Sequence, residues 1–158
     1  MGRIPKCDSG GLMAGEWIKV QADWVEGTNF VATNEAGGRV VVGQVQGEKG
    51  IPPMQLLLVG LAGCTGVDVA LILQKKRADL RGLRVEVKGT RRDEHPRVYT
   101  RIHIHYILWG DLKAKDVEQA IQLSEEKYCS ASAMLGAVTE ITHDYEIRPA
   151  EEAPASQG

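Results

Sequence analysis

The chain has 158 residues, a length that suits one folded domain with a core large enough to need no disulfide staples. Hydrophobic residues make up 43% and charged residues 25%, as in an ordinary globular protein. The formal net charge of -2 argues against nucleic acid as the main partner, because proteins that bind the phosphate backbone need a surplus of basic residues.

Neither a secretory signal nor a membrane span is expected. Residues 1–15 contain no apolar stretch of the length that a signal peptide needs. The longest apolar run, residues 56–62, is far shorter than the roughly 20 residues that cross a bilayer. We therefore expect a cytoplasmic protein without membrane association. Its single domain would span 16–148, between a glycine-rich tail at 1–15 and a polar, disordered tail at 149–158.

The first half of the domain is expected to hold three short strands and a long helix. The strands fall at residues 16–24, 29–33 and 39–45, because apolar runs there are separated by glycine-containing turns. The helix runs from about residue 53 to 77, since Pro53 suits a first helical turn. Apolar residues lie on all sides of its first two-thirds, so it should be buried on all sides. In a domain this small, a second subunit is the expected cover.

The second half is expected to hold two long strands, two helices and a last strand. Residues 82–90 and 97–108 show the period-two alternation of strands with one face in the core. Helices are predicted at 113–127 and 130–137, and the last strand at 139–147. The order is βββ-α-ββ-αα-β. Because strands and helices come in blocks, it indicates the α+β class.

The chain has three cysteines, Cys7, Cys64 and Cys129. An odd number, without a CxxC pair or a Cys/His cluster, indicates neither a secreted disulfide framework nor a zinc site. Cys64 lies inside the long helix, and Cys129 lies where the first of the later helices gives way to the second. The two are far apart along the chain. They are either unrelated core thiols or a reactive pair that the fold brings together.

A reactive Cys64 would need help to become a thiolate, because apolar burial alone raises the pKa of a thiol. Asp68, four residues further along the same helix face, would oppose that ionisation. A nearby cation would favour it. Three arginines of the predicted strands are candidates for this cation: Arg39, Arg97 and Arg101. An activated Cys64 would attack a peroxide and become a sulfenic acid, with which Cys129 would condense to form a disulfide.

Three segments of the chain resemble the OsmC/Ohr family. PPMQLLLVGLAGCTGVDVALILQKKR resembles the family's central helix, EEKYCSASAML its second cysteine motif and ITHDYEI its last strand. The resemblance covers about residues 16–148. It implies an OsmC-like fold, with a curved antiparallel sheet and a long buried central helix. It also implies an intertwined homodimer with active sites at the subunit interface.

The resemblance implies an activity as well. Proteins of this family reduce hydroperoxides, so Cys64 would be the attacking thiol and Cys129 the resolving one. A dithiol of the lipoyl type would then reduce the disulfide. The apolar helix around Cys64 would suit organic hydroperoxides better than hydrogen peroxide. The resulting expectation is a peroxidase of oxidative stress defence that carries no cofactor or metal.

One position departs from the family's best-studied branches. Those branches have a glutamate ten residues before the first cysteine, where it pairs with an arginine. This chain has Met54 there and resembles a less characterised OsmC-like branch. Met54 favours an alternative, a non-enzymatic dimeric module that binds a small apolar or thiol ligand at the subunit interface. The pair of Cys64 and Cys129 favours the peroxidase.

Several other polar residues are candidates for a site. His103 and His105 share one face of a predicted strand, where they either bind a metal or line a solvated sheet face. We expect the solvated face. His143, Glu125 and Glu126 are expected at the surface, although one of the glutamates could hold an active-site cation.

Overall fold

The computed structural model of the protein describes residues 15–155. Cys7 and almost all of the predicted N-terminal tail lie outside the described residues. The described chain divides into two compact units, residues 15–57 and residues 58–155. The boundary falls within a long helix, so each unit contains part of it. The single domain at 16–148 stays a prediction.

The first unit is built mainly from short strands joined by turns. They are β1 (Val20–Glu26), β2 (Asn29–Asn34), β3 (Arg39–Val42), β4 (Gln44–Val45) and β5 (Glu48–Lys49). The first three form an antiparallel meander, and the last two form a small hairpin.

The predicted third strand, at 39–45, divides at Gly43 into β3 and β4. The φ of Gly43 is 92°, a left-handed conformation that favours glycine. A Cβ atom added there would lie 2.2 Å from Oδ1 of Asn29. That oxygen accepts a hydrogen bond from the backbone N–H of Gln44, at 3.0 Å. The Asn29 side chain therefore fixes a bend in the chain that hydrophobic alternation does not reveal.

The long helix α1 (Pro53–Lys75) follows the sequence prediction closely. It ends before Arg77, whose positive φ of 56° breaks the helical conformation. One stripe of α1 is buried within the chain: Leu61, Thr65, Asp68, Val69, Ile72 and Leu73. Three apolar side chains elsewhere on it are 44–48% exposed: Leu57, Val59 and Val67. The single chain thus covers one side of a helix that was expected to be buried on all sides.

By length and composition, α1 is the one helix among residues 15–155 that could cross a membrane. The core helix of a soluble protein passes the same test. The apolar run at 56–62 alone does not reveal a helix of this length. Glycines, Thr65 and Asp68 interrupt the apolar sequence without ending the helix. Asp68 is fully buried within the chain and hydrogen-bonded to Ser124, which is typical of a helix packed in a protein core.

The second unit contains a three-stranded sheet of β6 (Asp79–Arg91), β7 (Tyr99–Asp111) and β8 (Glu140–Arg148). Strands β6 and β7 pair antiparallel, whereas β7 and β8 pair parallel. The predicted α+β class is confirmed, but the expectation of a wholly antiparallel sheet is wrong for this last pair. Parallel strands need a long crossover connection, and the helices between β7 and β8 provide it.

The crossover contains α2 (Ala114–Leu123), a π-helical turn (Ser124–Tyr128) and α3 (Ser130–Gly136). The predicted helix at 113–127 therefore changes to a wider π-helical winding over its last turn. Part of the predicted C-terminal tail is ordered, because Ala150–Glu152 form a 3-10 turn. Gly82 in β6 packs closely against Trp109, since an added Cβ would lie 3.2 Å from Cε3 of that ring.

Helix α1 packs closely against the sheet of the second unit. Gly66 brings the α1 backbone close to β6, since an added Cβ would lie 3.3 Å from Cγ2 of Val85. Tyr106 lies beside Val85 in the ladder and is fully buried. Its neighbours on the inward face of β7 are also at most 1% exposed: Ile102, Ile104 and Leu108. The predicted alternation along β7 is confirmed at these positions.

Candidate functional site

A chain of four polar side chains lies in the core of the second unit. The Oη atom of Tyr106 lies 2.7 Å from Oγ1 of Thr65, which lies 2.9 Å from Oγ of Ser124. Ser124 in turn donates a hydrogen bond of 2.9 Å to Oδ2 of Asp68. All four residues are 0% exposed. This polar chain links β7 and the π-helical turn to α1.

The buried acid at the end of the polar chain is electrostatically unusual. Burial raises the pKa of Asp68 above its ordinary value, and the hydrogen bond from Ser124 only partly opposes that shift. The second carboxyl oxygen, Oδ1, has no hydrogen-bond partner among residues 15–155. Burial also raises the pKa of Tyr106, with smaller opposing and supporting contributions from its neighbours. Both groups therefore favour their neutral forms more strongly than exposed groups of the same type.

Cys64 and Cys129 lie beside this polar chain. Cys64 precedes Thr65 on α1 and is partly exposed, whereas Cys129 is 3% exposed and forms the N-cap of α3. Its Sγ atom accepts a hydrogen bond of 3.4 Å from the backbone N–H of Ser132. Its own backbone N–H donates to the carbonyl oxygen of Ser124, at 2.7 Å. That second bond closes the π-helical turn, so the turn sets the place of the Cys129 sulfur.

The two thiols are not bonded to each other, but they interact. Burial raises the pKa of Cys129, hydrogen bonds from Ser132 lower it, and the neighbouring thiol of Cys64 raises it again. Two sulfurs that are distant in sequence therefore meet in the folded chain. A pair of reduced thiols in contact can form a disulfide if one of them is oxidised. The catalytic assignment of the pair stays a prediction.

A carboxylate and a histidine lie near the polar chain. Oε1 of Glu125 is 2.8 Å from Nδ1 of His143. The ring of His143 meets that of Tyr106 edge-on, with their centroids 6.5 Å apart. Burial raises the pKa of Glu125, and the charge of His143 opposes the shift. The expectation of simple surface positions was thus incomplete, because the π-helical turn and β8 bring these two residues together.

The three candidate arginines have other surroundings. Arg39, in the first unit, lies 3.4 Å from Glu48. Arg97, in the turn before β7, donates a hydrogen bond of 3.4 Å to the backbone oxygen of Arg92. Arg101 lies on the face of β7 opposite Tyr106, where it lines an open groove of about 570 Å³. The role of any of the three as the cation that activates Cys64 stays a prediction.

His103 and His105 do lie together on the outer sheet face, where both contact Asp144. Oδ1 of Asp144 is 3.0 Å from His103 Nε2 and 2.6 Å from His105 Nδ1. The hydrogen bond from His105 lowers the pKa of Asp144 and raises that of His105. No group of three histidine, cysteine or acidic side chains among residues 15–155 is placed to hold a metal. The two histidines thus form a polar cluster on the sheet.

Sequence reasoning missed the polar chain as a unit. Thr65 and Asp68 are spaced three residues apart, and they fall on the same stripe as the apolar residues Leu61 and Val69. Polar residues on a buried stripe indicate buried hydrogen bonds, so this signal was present. Their partners come from elements distant in the sequence, and only the fold identifies them.

Comparison with known proteins gives consistent matches. A model of the OsmC family, described as OsmC-like protein, matches residues 46–144. Protein YhfA of Escherichia coli strain K12 is 39% identical over 131 residues, which cover 82% of this chain and 98% of that protein.

Solved structures agree with this assignment. A hypothetical protein from Aquifex aeolicus VF5 matches with a TM-score of 0.77 and 37% identity, over 85% of this chain and 98% of that one. An organic hydroperoxide resistance protein, OsmC, from Legionella pneumophila has a TM-score of 0.64 and 13% identity. That match covers 85% of this chain and 99% of the other, and it shows the shared fold. The extent of these matches establishes that this chain belongs to the OsmC/Ohr family.

Proposed function

We propose that this protein is a cysteine-based peroxidase that reduces organic hydroperoxides, with Cys64 as the attacking thiol and Cys129 as the resolving thiol. The interaction between these two reduced thiols carries the proposal. Their unequal exposure supports the division of roles. A peroxide can approach the partly exposed Cys64, whereas the buried Cys129 is accessible mainly to its neighbouring sulfur.

The proposed reaction has two steps at sulfur. The Cys64 thiolate attacks one peroxide oxygen, so an S–O bond forms while the O–O bond breaks, and the departing alkoxide takes a proton to become an alcohol. The sulfur of Cys129 then attacks the sulfenic sulfur of Cys64. An S–S bond forms, and the hydroxyl group leaves as water with the proton of Cys129.

An external dithiol of the lipoyl type would complete the cycle. Its first thiolate attacks the Cys64–Cys129 disulfide to form a mixed disulfide, and its second thiol displaces the protein. Both cysteines regain their thiols while the reductant becomes a cyclic disulfide. The cycle consumes one hydroperoxide per dithiol. We expect it to operate in the cytoplasm, in defence against oxidative stress.

The family comparison supports this class of substrate. OsmC/Ohr proteins commonly act on hydroperoxides and are commonly dimeric, and the Legionella pneumophila relative is named an organic hydroperoxide resistance protein. Near Cys64, the α1 helix is rich in apolar residues and includes the fully buried Leu61. An apolar environment favours a peroxide with an organic group over hydrogen peroxide.

A homodimer is part of the proposal. Leu57, Val59 and Val67 leave apolar surface of α1 exposed in the single chain. Gly60 and Gly63 lie between them, and an added Cβ at either position would meet nothing within 4 Å. A second copy of the chain could therefore approach the α1 backbone closely and bury this surface. We expect the active sites at the interface between the two subunits.

The enzymatic proposal is tested by dithiol-dependent consumption of cumene hydroperoxide. The wild-type protein should turn over continuously, and Cys64→Ser should abolish turnover because it removes the attacking sulfur. Without added dithiol, Cys129→Ser should reduce the peroxide about once per active site and retain a Cys64 sulfenic acid, because it lacks the resolving thiol that forms the disulfide. Cys7→Ser is the matched control and should retain activity. Equal, slow consumption by the wild type and Cys64→Ser would exclude the enzyme.

The alternative module differs from the peroxidase in what it needs from the thiols. Met54, in the first turn of α1, stands where other branches have a glutamate, and its uncharged side chain cannot form a salt bridge to an arginine. A small apolar or thiol ligand held at the subunit interface would fit this substitution. Saturable binding of such a ligand without peroxide turnover would favour the module. Repeating the turnover assay with hydrogen peroxide would separate the two peroxide classes.

A further inference from the structure

Asp68 has no role in the two sulfur steps, yet it lies one helical turn after Cys64 in the core of the chain. Ser124 donates a hydrogen bond to its Oδ2 atom, and Oδ1 has no hydrogen-bond partner among the described residues. Within that part of the chain, no lysine, arginine or histidine forms an ion pair with it. A buried carboxyl with so little compensation is costly to ionise, and its presence calls for a physical reason.

The hydrogen bonds of Asp68 lead to both cysteine-bearing segments. Ser124, its partner, also contacts Thr65, which directly follows Cys64 on α1. The backbone oxygen of Ser124 accepts the N–H of Cys129 at 2.7 Å. One serine therefore contacts the helix of the first thiol through its side chain and the residue of the second thiol through its backbone.

We propose that Asp68 is a positioning residue for the thiol pair: through Ser124 its carboxyl group fixes α1 against the π-helical turn, and loss of its proton opposes thiolate formation at Cys64. The inference rests on the proposed peroxidase, because it assigns Asp68 control over the attacking thiol of that reaction. Asp68 acts through its hydrogen bonds and its charge and does not contact the peroxide.

The charge effect follows from the groups around the polar chain. Tyr106 on β7, Glu125 in the π-helical turn and Cys129 at the start of α3 are all acids, and each can only become negative. His143 on β8 is the basic group in this set, and Glu125 already lies 2.8 Å from it. An ionised Asp68 would therefore add an uncompensated negative charge one turn from Cys64. Like charges at such distances disfavour a second ionisation.

The protonation state of Asp68 thus affects how readily Cys64 forms a thiolate. Burial raises the pKa of Asp68, so its neutral form persists to higher pH than that of an exposed aspartate. While Asp68 is neutral, the polar chain holds the segments together without a charge that opposes the thiolate. As the pH rises through its pKa, Asp68 ionises. Its negative charge then makes a thiolate at Cys64 less favourable.

The charge effect is tested with Asp68→Asn, which keeps an oxygen that can accept from Ser124 but removes the titratable charge. The readout is the rate of iodoacetamide alkylation at Cys64 as a function of pH, measured by mass spectrometry of the peptide that contains it. The midpoint should move to lower pH by about one pH unit relative to the wild type. Asp111→Asn, at an exposed position, is the matched control and should leave the profile unchanged.

The positioning role is tested with Ser124→Ala. This variant removes the hydroxyl group that links Asp68 to Thr65 and retains both of those residues. The equilibrium between the dithiol and the Cys64–Cys129 disulfide is measured in glutathione buffers of fixed composition. The equilibrium constant for the disulfide should fall about tenfold, because the two sulfurs are held in contact less often. Ser130→Ala, an exposed serine next to Cys129, should leave it unchanged.

Two results would overturn the inference. One is a pH profile of Asp68→Asn that superimposes on the wild type. The other, decisive even if Asp68→Asn does not fold, is a Ser124→Ala variant with the wild-type disulfide equilibrium. Neither readout uses a peroxide. If the wild type consumes no hydroperoxide while the two variants show both shifts, the peroxidase is disproved and the role of Asp68 stands.

Discussion

At the scale of single residues, the two thiols have the same chemistry in different surroundings. Cys129 is a buried N-cap whose pKa is raised by burial and lowered by hydrogen bonds from Ser132. Cys64 is partly exposed and lies in the middle of a helix. The arrangement suits a pair in which the partly exposed sulfur reacts first, and it protects the other from direct oxidation.

Tyr106 permits a direct test of how much the polar chain contributes to folding. Tyr106→Phe should destabilise the protein by about 1 kcal/mol, because Thr65 loses one of two hydrogen-bond partners while little apolar surface changes. The free energy of unfolding can be measured with urea. Tyr128→Phe is the matched control, since Tyr128 lies in the π-helical turn but is not one of the four residues of the polar chain. Equal losses in both variants would show that the Tyr106 hydroxyl contributes nothing specific.

At the scale of elements, the long helix and the paired strands follow from sequence patterns. The apolar residues of α1 and the alternation along β7 depend on each element's own sequence, so periodicity predicts them. The division at Gly43 was not predicted, since it depends on the side chain of Asn29. The parallel pairing of β8 was missed for a related reason. The direction of a strand in a sheet depends on the crossover before it.

In the candidate site as well, local sequence predicted some features and the tertiary structure determined the others. Cys64 and Cys129 were identified from the sequence because each lies in a motif that resembles a known family. The contacts that Ser124 makes with Thr65 and Cys129 were not predictable, because they need the π-helical winding that replaces the end of the expected helix. Local patterns thus singled out the two cysteines, whereas the tertiary structure identified the groups around them.

Gly110 tests the pairing of the two long strands. Its φ is 145°, and an added Cβ would lie 1.8 Å from the backbone oxygen of Asp79 on β6. Gly110→Ala should therefore destabilise the protein by at least about 2 kcal/mol in urea unfolding, because the strand ends must separate. Gly27→Ala also has a positive φ, 52°, but nothing lies within 4 Å of the added Cβ. It should cost only about 1 kcal/mol, and a loss as large as that of Gly110→Ala would contradict the steric explanation.

At the scale of the whole molecule, the exposed side of α1 is the feature that the single chain leaves unexplained. Val67 is 44% exposed on a helix whose other side forms part of the core. It lies three residues after Cys64, so a subunit that covers Val67 would also approach that thiol. The oligomeric state and the reactivity of Cys64 should therefore change together.

Val67→Asp tests this connection. In the proposed homodimer it would bury an unpaired charge in each subunit, so it should convert a wild-type dimer to a monomer at micromolar concentration and reduce peroxide turnover. Sedimentation measures the first effect and the dithiol-dependent assay the second. Val98→Asp introduces the same charge at a similarly exposed valine in the turn before β7 and should leave both unchanged. A wild-type protein that sediments as a stable monomer would refute the dimer, because the apolar surface of α1 would then remain in water without a partner.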